Sequence, residues 1–294
     1  MKVLAVKAPD FTYHDPRTLA DLVGLLATLA DAKLLAGGQS LIPMLNLRLL
    51  APAHLIDINR IPDLSGIRIA GGVVEIGAMT RQADLLSSDE LAQAAPIFRK
   101  ALAHVGHVQT RSRGTIGGSC CHLDPAAEQP ALCALLDAEF DVIGPEGART
   151  VPAADWFQGY LQSALDEREL LRAIRFRSWP QGHGAGFEEY ARRRGDFAIA
   201  GAAALLDAAA DRSIRRAAIV VFGVAPSPVR LAKAEQALVG RKLDHAAIEM
   251  AMDEARALDP VSDAHVSADY RLHLAGVVTR RALNQAGNLV EVPT

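Results

Sequence analysis

Residues 113–125 read RGTIGGSCCHLDP, and this short stretch decides between three different folds. It holds a Gly-Gly pair, the vicinal cysteines Cys120 and Cys121, and the polar residues His122 and Asp124. Thiols that bind a metal, thiols that react, and glycines that wrap a ligand each require a different surrounding structure. The cysteines and the glycines can be tested separately against the spacing rules of each kind of site.

The thiols fit neither a metal site nor a redox pair. The chain has three cysteines, Cys120, Cys121 and Cys133. Structural zinc sites pair ligands as C-x2–4-C, and an iron–sulfur cluster normally takes four thiolates. Vicinal side chains in an extended segment point to opposite faces, and redox pairs normally read C-x-x-C. We therefore predict packing roles for the cysteines, no metal site and no catalytic thiol.

Two Gly-Gly segments share a similar setting, AGGQS at residues 36–40 and TIGGS at residues 115–119. Neither matches the G-x-G-x-x-G or the G-x-x-x-x-G-K-[ST] fingerprint. Glycines beside small hydroxyl residues still let backbone N–H groups approach a phosphate without obstruction from a Cβ atom. Ser40, Thr115 and Ser119 would add hydroxyl donors. Two ordinary turns are the alternative, and spacing alone leaves both interpretations open.

Composition excludes several classes of protein. The chain has 294 residues and a formal net charge of -3, with half of the residues hydrophobic. That length suits one large core or two domains, and the charge balance argues against a nucleic-acid partner. No apolar run reaches the roughly 20 residues that span a bilayer. An odd cysteine number without disulfide spacing, and no visible signal peptide, favour the cytoplasm.

Periodicity predicts alternating strands and helices in the first part of the chain. At the IRIAGGVVEIG hairpin, Ile67 and Ile69 should pair with Ile76 and Val74 across two glycines. The predicted strands are residues 2–6, 33–38, 54–58 and 170–176, with hairpins at 67–77 and 139–153. The predicted helices are residues 18–32, a segment from near Pro43, one long tract over 80–105, and 125–138.

A change of composition at SWPQGHGAG, residues 178–186, marks a linker or a functional loop. Beyond it, FAIAGAAALL and RRAAIVVFGV predict strands. KAEQALVG, DHAAIEMAMDEARAL and DYRLHLAGVVTRRALNQA then predict helices. Strands followed by helices predict an α+β domain with helices on one face of a sheet.

Five segments resemble one family, the FAD-binding medium subunits of the molybdenum hydroxylases. They are AGGQSLIP, RGTIGGSCCHLDPAAEQPAL, FEEYARRRGDFAIAG, VVFGVAPSPVRLAKAEQALVG and YRLHLAGVVTRRAL. This family includes the medium chain of aerobic carbon monoxide dehydrogenase and the flavin subunit of xanthine dehydrogenases. The resemblance implies an α+β fold with an FAD-binding domain of the vanillyl-alcohol-oxidase (PCMH) type over residues 1–178. That domain would divide into subdomains of about 1–57 and 58–178, with a C-terminal α+β domain over 179–294.

The resemblance also implies the cofactor site. Two segments would hold the FAD pyrophosphate by backbone amides, and other residues would lie near the ribityl chain, the ADP portion or the isoalloxazine. Glu188 replaces a flavin-contacting lysine of xanthine dehydrogenases, which puts NAD+ as the electron acceptor in doubt. The implied site residues are Leu34, Leu35, Ala36, Gly37, Gly38, Gln39, Ser40, Leu41, Val105, Thr115, Ile116, Gly117, Gly118, Ser119, His122, Asp124, Glu128, Leu171, Phe187 and Glu188.

The function that the resemblance implies is an electron outlet. A large subunit would carry the molybdenum cofactor, a small subunit two [2Fe–2S] clusters, and this chain non-covalent FAD, assembled as a dimer of heterotrimers. The substrate, whether carbon monoxide, a purine, another N-heterocycle or an aldehyde, would bind on another chain. One alternative is a free-standing flavin oxidase with its own pocket. Another is a non-enzymatic binding module whose glycine segments are only turns.

Overall fold

The computed structural model describes residues 8–289, and its N-terminal layer is a three-stranded parallel sheet. The strands are β1 (Thr12–His14), β2 (Ala32–Leu35) and β3 (His54–Asp57), in the order β1-β3-β2. Helices α1 (Leu19–Thr28) and α2 (Leu41–Asn46) connect them. The strand predicted over residues 2–6 lies outside the described residues. Helix α2 starts before Pro43, because proline is tolerated in the first turn, where its missing N–H has no partner to lose.

The second layer is a five-stranded antiparallel sheet in the order β4-β5-β10-β6-β7. In the first hairpin Ile67 pairs with Ile76 and Ile69 with Val74, as the sequence predicted. The turn holds because Gly71 and Gly72 adopt φ values of 57° and 75°. The strands are β4 (Ile67–Ala70), β5 (Val73–Gly77), β6 (Glu139–Gly144), β7 (Gly147–Pro152) and β10 (Leu170–Arg177), and a small separate sheet comprises β8 (Phe157–Gly159) and β9 (Gln162–Ser163).

The single helical tract predicted over residues 80–105 is wrong, because three short helices occupy it. They are α3 (Gln82–Ser87), α4 (Asp89–Ala94) and α5 (Ile97–Leu102). Ser88 is extended, and its hydroxyl accepts the N–H of Leu91, so a new helix begins there. Pro96 cannot donate a backbone hydrogen bond and disfavours helical geometry at the preceding residue, which ends α4.

The stretch of residues 113–125 is mostly helical. It begins at the last residue of α6 (Val108–Arg113), contains α7 (Ile116–His122) and is followed by α8 (Glu128–Leu135). The TIGGS glycines lie in the first turn of α7 and not in a loop. Thr115 caps this helix, since its hydroxyl accepts the Gly118 N–H at 3.0 Å. The two vicinal cysteines are therefore helical, which corrects the extended geometry expected for them. A short helix, α9 (Ala153–Trp156), follows β7.

The C-terminal part is a four-stranded antiparallel sheet with a helical layer on one face. Its central strand β12 is alanine-rich because both faces are covered: Ala203 and Leu205 join the core of the preceding layers, and Ala202 and Ala204 join the core beneath the helices. The elements are β11 (Gly184–Tyr190), β12 (Ala200–Ala208), β13 (Ile214–Phe222), β14 (Val229–Arg230), α10 (Ala232–Leu238), α11 (His245–Arg256) and α12 (Ala268–Leu289). Within residues 8–289, no helix combines the length and apolar character that crossing a membrane requires.

Candidate functional site

The fold brings the two Gly-Gly segments into contact, although they are about 80 residues apart in the chain. A Cβ atom built on Gly37 would overlap the carbonyl of Arg113 and lie 2.9 Å from the Cα of Gly114. A Cβ atom on Gly118 would lie 3.8 Å from the Cβ of Ala36. Glycine at position 37 is thus what allows the backbone of one segment to lie directly on the other.

The first segment presents a row of free backbone donors. The N–H groups of residues 37–41 donate to no acceptor within the described chain. Gly38 has φ of 73°, in the left-handed region that glycine accepts most readily. Successive free N–H groups around such a residue form a concave surface that binds anionic oxygen atoms. The segment can therefore hold a phosphate or pyrophosphate group.

The second segment, residues 115–119, lies close to the first but has few free backbone N–H donors. The N–H of Gly117 donates to the Ala78 carbonyl at 2.8 Å, and that of Ile116 to the Thr80 carbonyl at 3.2 Å. Residues 118 and 119 donate to the hydroxyl and carbonyl of Thr115. Four of the five N–H groups in this segment therefore already have acceptors in the chain, and that these backbone amides hold a pyrophosphate stays a prediction.

A polar clamp that no sequence motif indicates joins the two segments. The side-chain amide of Asn59 donates to the Ala36 carbonyl at 2.8 Å and to the Leu35 carbonyl at 3.3 Å. The guanidinium of Arg81 donates both to Asn59 Oδ1 and to the Arg113 carbonyl. These residues come from separate elements, so no local motif marks them. Arg81 also brings positive charge to the clamp, and burial together with the nearby charge of Arg113 lowers its pKa.

Replacing Asn59 by alanine should weaken ligand binding at this site about tenfold. The variant loses the two donors that fix the Leu35 and Ala36 carbonyls, at a cost of about 1–1.5 kcal/mol. Asn284→Ala, at an exposed position on α12, is the matched control. Titration of the apoprotein with FAD measures both, and equal affinity in the two variants would show that the clamp does not shape the site.

Strand β11 directs two neighbouring carboxyl groups to opposite faces. Glu188 accepts hydrogen bonds from Arg281 at 2.9 Å and from Gln285 at 3.0 Å, both on α12. Successive side chains of a strand point to opposite faces, so Glu189 faces the other way, and its Oε1 lies 3.3 Å from His104 Nδ1. That Glu188 lies near the flavin stays a prediction.

Three apolar residues of the implied site, Val105, Leu171 and Phe187, are buried. The ring of Phe187 lies 5.3 Å from that of His104 and 5.7 Å from that of Phe222. Val105 and Leu171 are buried in the same core cluster as Phe187. Leu34, at the end of β2, packs instead against the N-terminal core cluster.

The residues after α7 supply carboxyl groups. Leu123, with φ of 53°, ends the helix, and Asp124 accepts the N–H of Ala126 at 2.9 Å in the turn that follows. Glu128 is buried at the start of α8. Burial, followed by the negative charge of Glu189, raises the pKa of Glu128 to about 8. His122 is half-buried at the end of α7.

The cysteines lie in the core. Cys120 and Cys133 are buried with their sulfur atoms 3.7 Å apart. Burial raises the pKa of Cys121 to about 12, so its reactive thiolate form is scarce near neutral pH. Over residues 8–289, no three His, Cys, Asp or Glu side chains converge as a metal site would require. That the cysteines ligate no metal stays a prediction.

Comparison with known proteins identifies the family. Residues 9–179 match the model described as the FAD binding domain in molybdopterin dehydrogenase, and residues 185–286 match the CO dehydrogenase flavoprotein C-terminal domain. The chain belongs to the FAD-binding subunits of the molybdopterin dehydrogenases. As a member of that family it is an oxidoreductase subunit, and the α+β fold with an FAD-binding domain and a C-terminal domain is confirmed.

Individual relatives of this FAD subunit support the assignment over the full length. The carbon monoxide dehydrogenase medium chain of Hydrogenophaga pseudoflava is 41% identical over 280 residues, covering 95% of this chain and 97% of the relative. The 6-hydroxypseudooxynicotine dehydrogenase complex subunit alpha of Paenarthrobacter nicotinovorans is 38% identical, covering 96% of each. A chain of the Hydrogenophaga pseudoflava carbon monoxide dehydrogenase lacking the Mo-pyranopterin moiety superposes with a TM-score of 0.94, covering 97% of this chain and 99% of its own.

Proposed function

We propose that this chain binds one FAD without a covalent bond and acts as the electron outlet of a molybdenum hydroxylase. Electrons would arrive from two [2Fe–2S] clusters on a small subunit and leave for an external acceptor. FAD supplies the ability to store two electrons. The chain's own contribution is to bind FAD, orient it and control the charge around it.

The observation that carries this proposal is the contact between the two Gly-Gly segments beside free backbone donors. The N–H groups of residues 37–41 fit the pyrophosphate oxygens, with Arg81 and Arg113 compensating their negative charge. Glycine at position 37 lets the backbone of the two segments lie in contact. This close backbone contact and the row of free donors beside it support a site for the FAD pyrophosphate.

The remaining site residues are part of the same proposal. Thr115 and Ser119 would contribute hydroxyl groups, and Val105, Leu171 and Phe187 an apolar wall for the ring system. His122, Asp124 and Glu128 would approach the polar parts of the cofactor. The turn-rich residues between β10 and β11 support a division into domains 1–178, with subdomains of about 1–57 and 58–178, and 179–294.

The partners belong to the proposal as well. A large molybdenum-cofactor subunit and a small iron–sulfur subunit would join this chain as a dimer of heterotrimers in the cytoplasm, since symmetric closure is usual for such assemblies. The two relatives have names that refer to carbon monoxide and to 6-hydroxypseudooxynicotine. Similar FAD subunits thus serve different substrates, which supports a substrate pocket on another chain.

Purified chain should contain about one FAD that denaturation releases completely. Acid precipitation followed by absorption spectroscopy of the supernatant and the pellet measures this directly. Binding through backbone donors and charge predicts colour in the supernatant only. Yellow colour retained in the washed pellet would contradict non-covalent binding, and a colourless native protein that takes up no added FAD would contradict the proposed function.

A further inference from the structure

The carboxyl end of the parallel sheet brings Asp57 next to the first Gly-Gly segment. Asp57 is the last residue of the central strand β3, and it pairs with Leu35, the last residue of β2. From Leu35 the chain continues directly into residues 37–41, whose backbone N–H groups have no acceptor among residues 8–289. Ligands of α/β sheets bind outside the carboxyl ends of the strands, so a side chain at this edge can shape the site.

Both oxygen atoms of the Asp57 carboxyl group accept hydrogen bonds. Oδ1 accepts the backbone N–H of Asn59 at 2.9 Å and the side-chain amide of the same residue at 2.6 Å. Oδ2 accepts the hydroxyl of Tyr13, on the neighbouring strand β1, at 2.7 Å. The carboxyl group is thus held from one side by β1 and bound on the other side to the residue that clamps the first segment.

The bond from the Asn59 amide to Asp57 decides which way that amide points. A carboxylate only accepts hydrogen bonds, so the amide must turn its Nδ2 atom toward Asp57. The same Nδ2 then reaches the Leu35 and Ala36 carbonyls, and Oδ1 is left to accept from Arg81. The reverse orientation would place Oδ1 against oxygen acceptors and Nδ2 against a guanidinium, which only donates.

Asp57 is ionised under ordinary conditions, as this arrangement requires. Burial acts to raise the pKa of Asp57, but the hydrogen bonds from Tyr13 and Asn59 outweigh it. The positive charge of Arg60 acts in the same direction as these bonds, so the pKa lies below its ordinary value. Near neutral pH the group is therefore an acceptor only, and a single orientation of the Asn59 amide satisfies it.

We propose that Asp57 is a positioning residue of the FAD pyrophosphate site, with Tyr13 holding its carboxylate in place. This inference rests on the proposed function. Asp57 acts through Asn59: the carboxylate orients the amide that fixes the Leu35 and Ala36 carbonyls. Fixing these carbonyls sets the direction of the free N–H groups that follow at residues 37–41. Tyr13 and Asp57 thus extend the site from the glycine segment to the far strand of the parallel sheet.

A double-mutant cycle on FAD affinity tests whether Asp57 acts through Asn59. Titration of the FAD-depleted full-length chain should show about a tenfold loss in Asp57→Ala, as in Asn59→Ala, because both remove the oriented amide. The double variant should be weaker than Asn59→Ala by no more than about twofold, since residues of one hydrogen-bond network are not independent. Asp57→Asn keeps an oxygen acceptor for Asn59 and should stay within about threefold of the parent chain.

The matched control is Asp63→Ala, at an exposed position after β3, which should bind FAD as the parent does. Parent-like affinity of Asp57→Ala overturns this inference alone. Independent losses that multiply to about a hundredfold in the double variant also overturn it, as does an Asp57→Asn variant as weak as Asp57→Ala. A parent chain that takes up no FAD overturns the proposed function and the inference with it.

Tyr13→Phe replaces Asp57→Ala in the cycle if the latter does not fold. Tyr13 is 53% exposed, so the loss of its hydroxyl leaves the core untouched. This variant should lose about threefold in FAD affinity on its own and show no further loss in the Asn59→Ala background. The same threefold loss in both backgrounds, or no loss in either, overturns the inference.

Discussion

Gly37→Ala is expected to lower the affinity of the chain for FAD by at least about a hundredfold. The new Cβ atom would occupy the position of the Arg113 carbonyl, so one backbone segment must move away from the other. The movement separates the free donors of residues 37–41 from the positive charges of Arg81 and Arg113. A hundredfold loss corresponds to about 2.7 kcal/mol, the upper part of the range of about 1–3 kcal/mol that overpacking typically costs.

The control for this variant is Gly24→Ala, an exposed position in α1 where a Cβ atom meets no neighbour within 4 Å. Circular dichroism and thermal melting distinguish a local change from a loss of fold. FAD titration of the folded variants then decides. If Gly37→Ala binds FAD as tightly as Gly24→Ala, the two segments do not form the cofactor cradle.

The chain loaded with FAD and purified without partners should remain oxidised in the presence of carbon monoxide, purines, other N-heterocycles and aldehydes. The described residues offer no cluster of metal ligands, and burial raises the pKa of Cys120 and Cys121 well above the neutral range. The expected effect is a loss of at least about a thousandfold in flavin reduction rate relative to the complete complex, equivalent to about 4 kcal/mol of activation free energy.

Anaerobic mixing with each substrate, followed at the flavin absorption band, measures that rate. A chemical reductant added afterwards serves as the internal control, because it should bleach the flavin whether or not partners are present. Rapid bleaching of the isolated chain by one of the substrates would favour a free-standing flavin oxidase with its own pocket.

Local sequence patterns were sufficient to predict the hairpin of β4 and β5, because alternating apolar residues and two glycines fix both the turn and the register. They failed over residues 80–105, because apolar spacing cannot show that Ser88 caps a new helix or that Pro96 ends the preceding one. The same limit applies to the TIGGS segment, because a Gly-Gly pair does not show that Thr115 caps a helix there.

The candidate site was only partly accessible from sequence. Both glycine segments could be found, because Gly-Gly beside hydroxyl residues has a physical use near phosphate. Asn59 and Arg81 could not, since each reaches the site from a separate element and belongs to no motif. The direction of the Glu188 side chain could not be predicted either, because it depends on how its strand packs, and here β11 directs Glu188 to α12.

The central claim, that this chain is the FAD subunit of a molybdenum hydroxylase, is tested most directly by the cofactor content of the native assembly. An affinity-tagged copy expressed in its own host would be purified and assayed for flavin, iron and molybdenum. The account predicts about one FAD, four iron atoms and one molybdenum atom per copy of the chain, in a complex with two other subunits. Purification of the chain with flavin but without iron, molybdenum or partner subunits would contradict it.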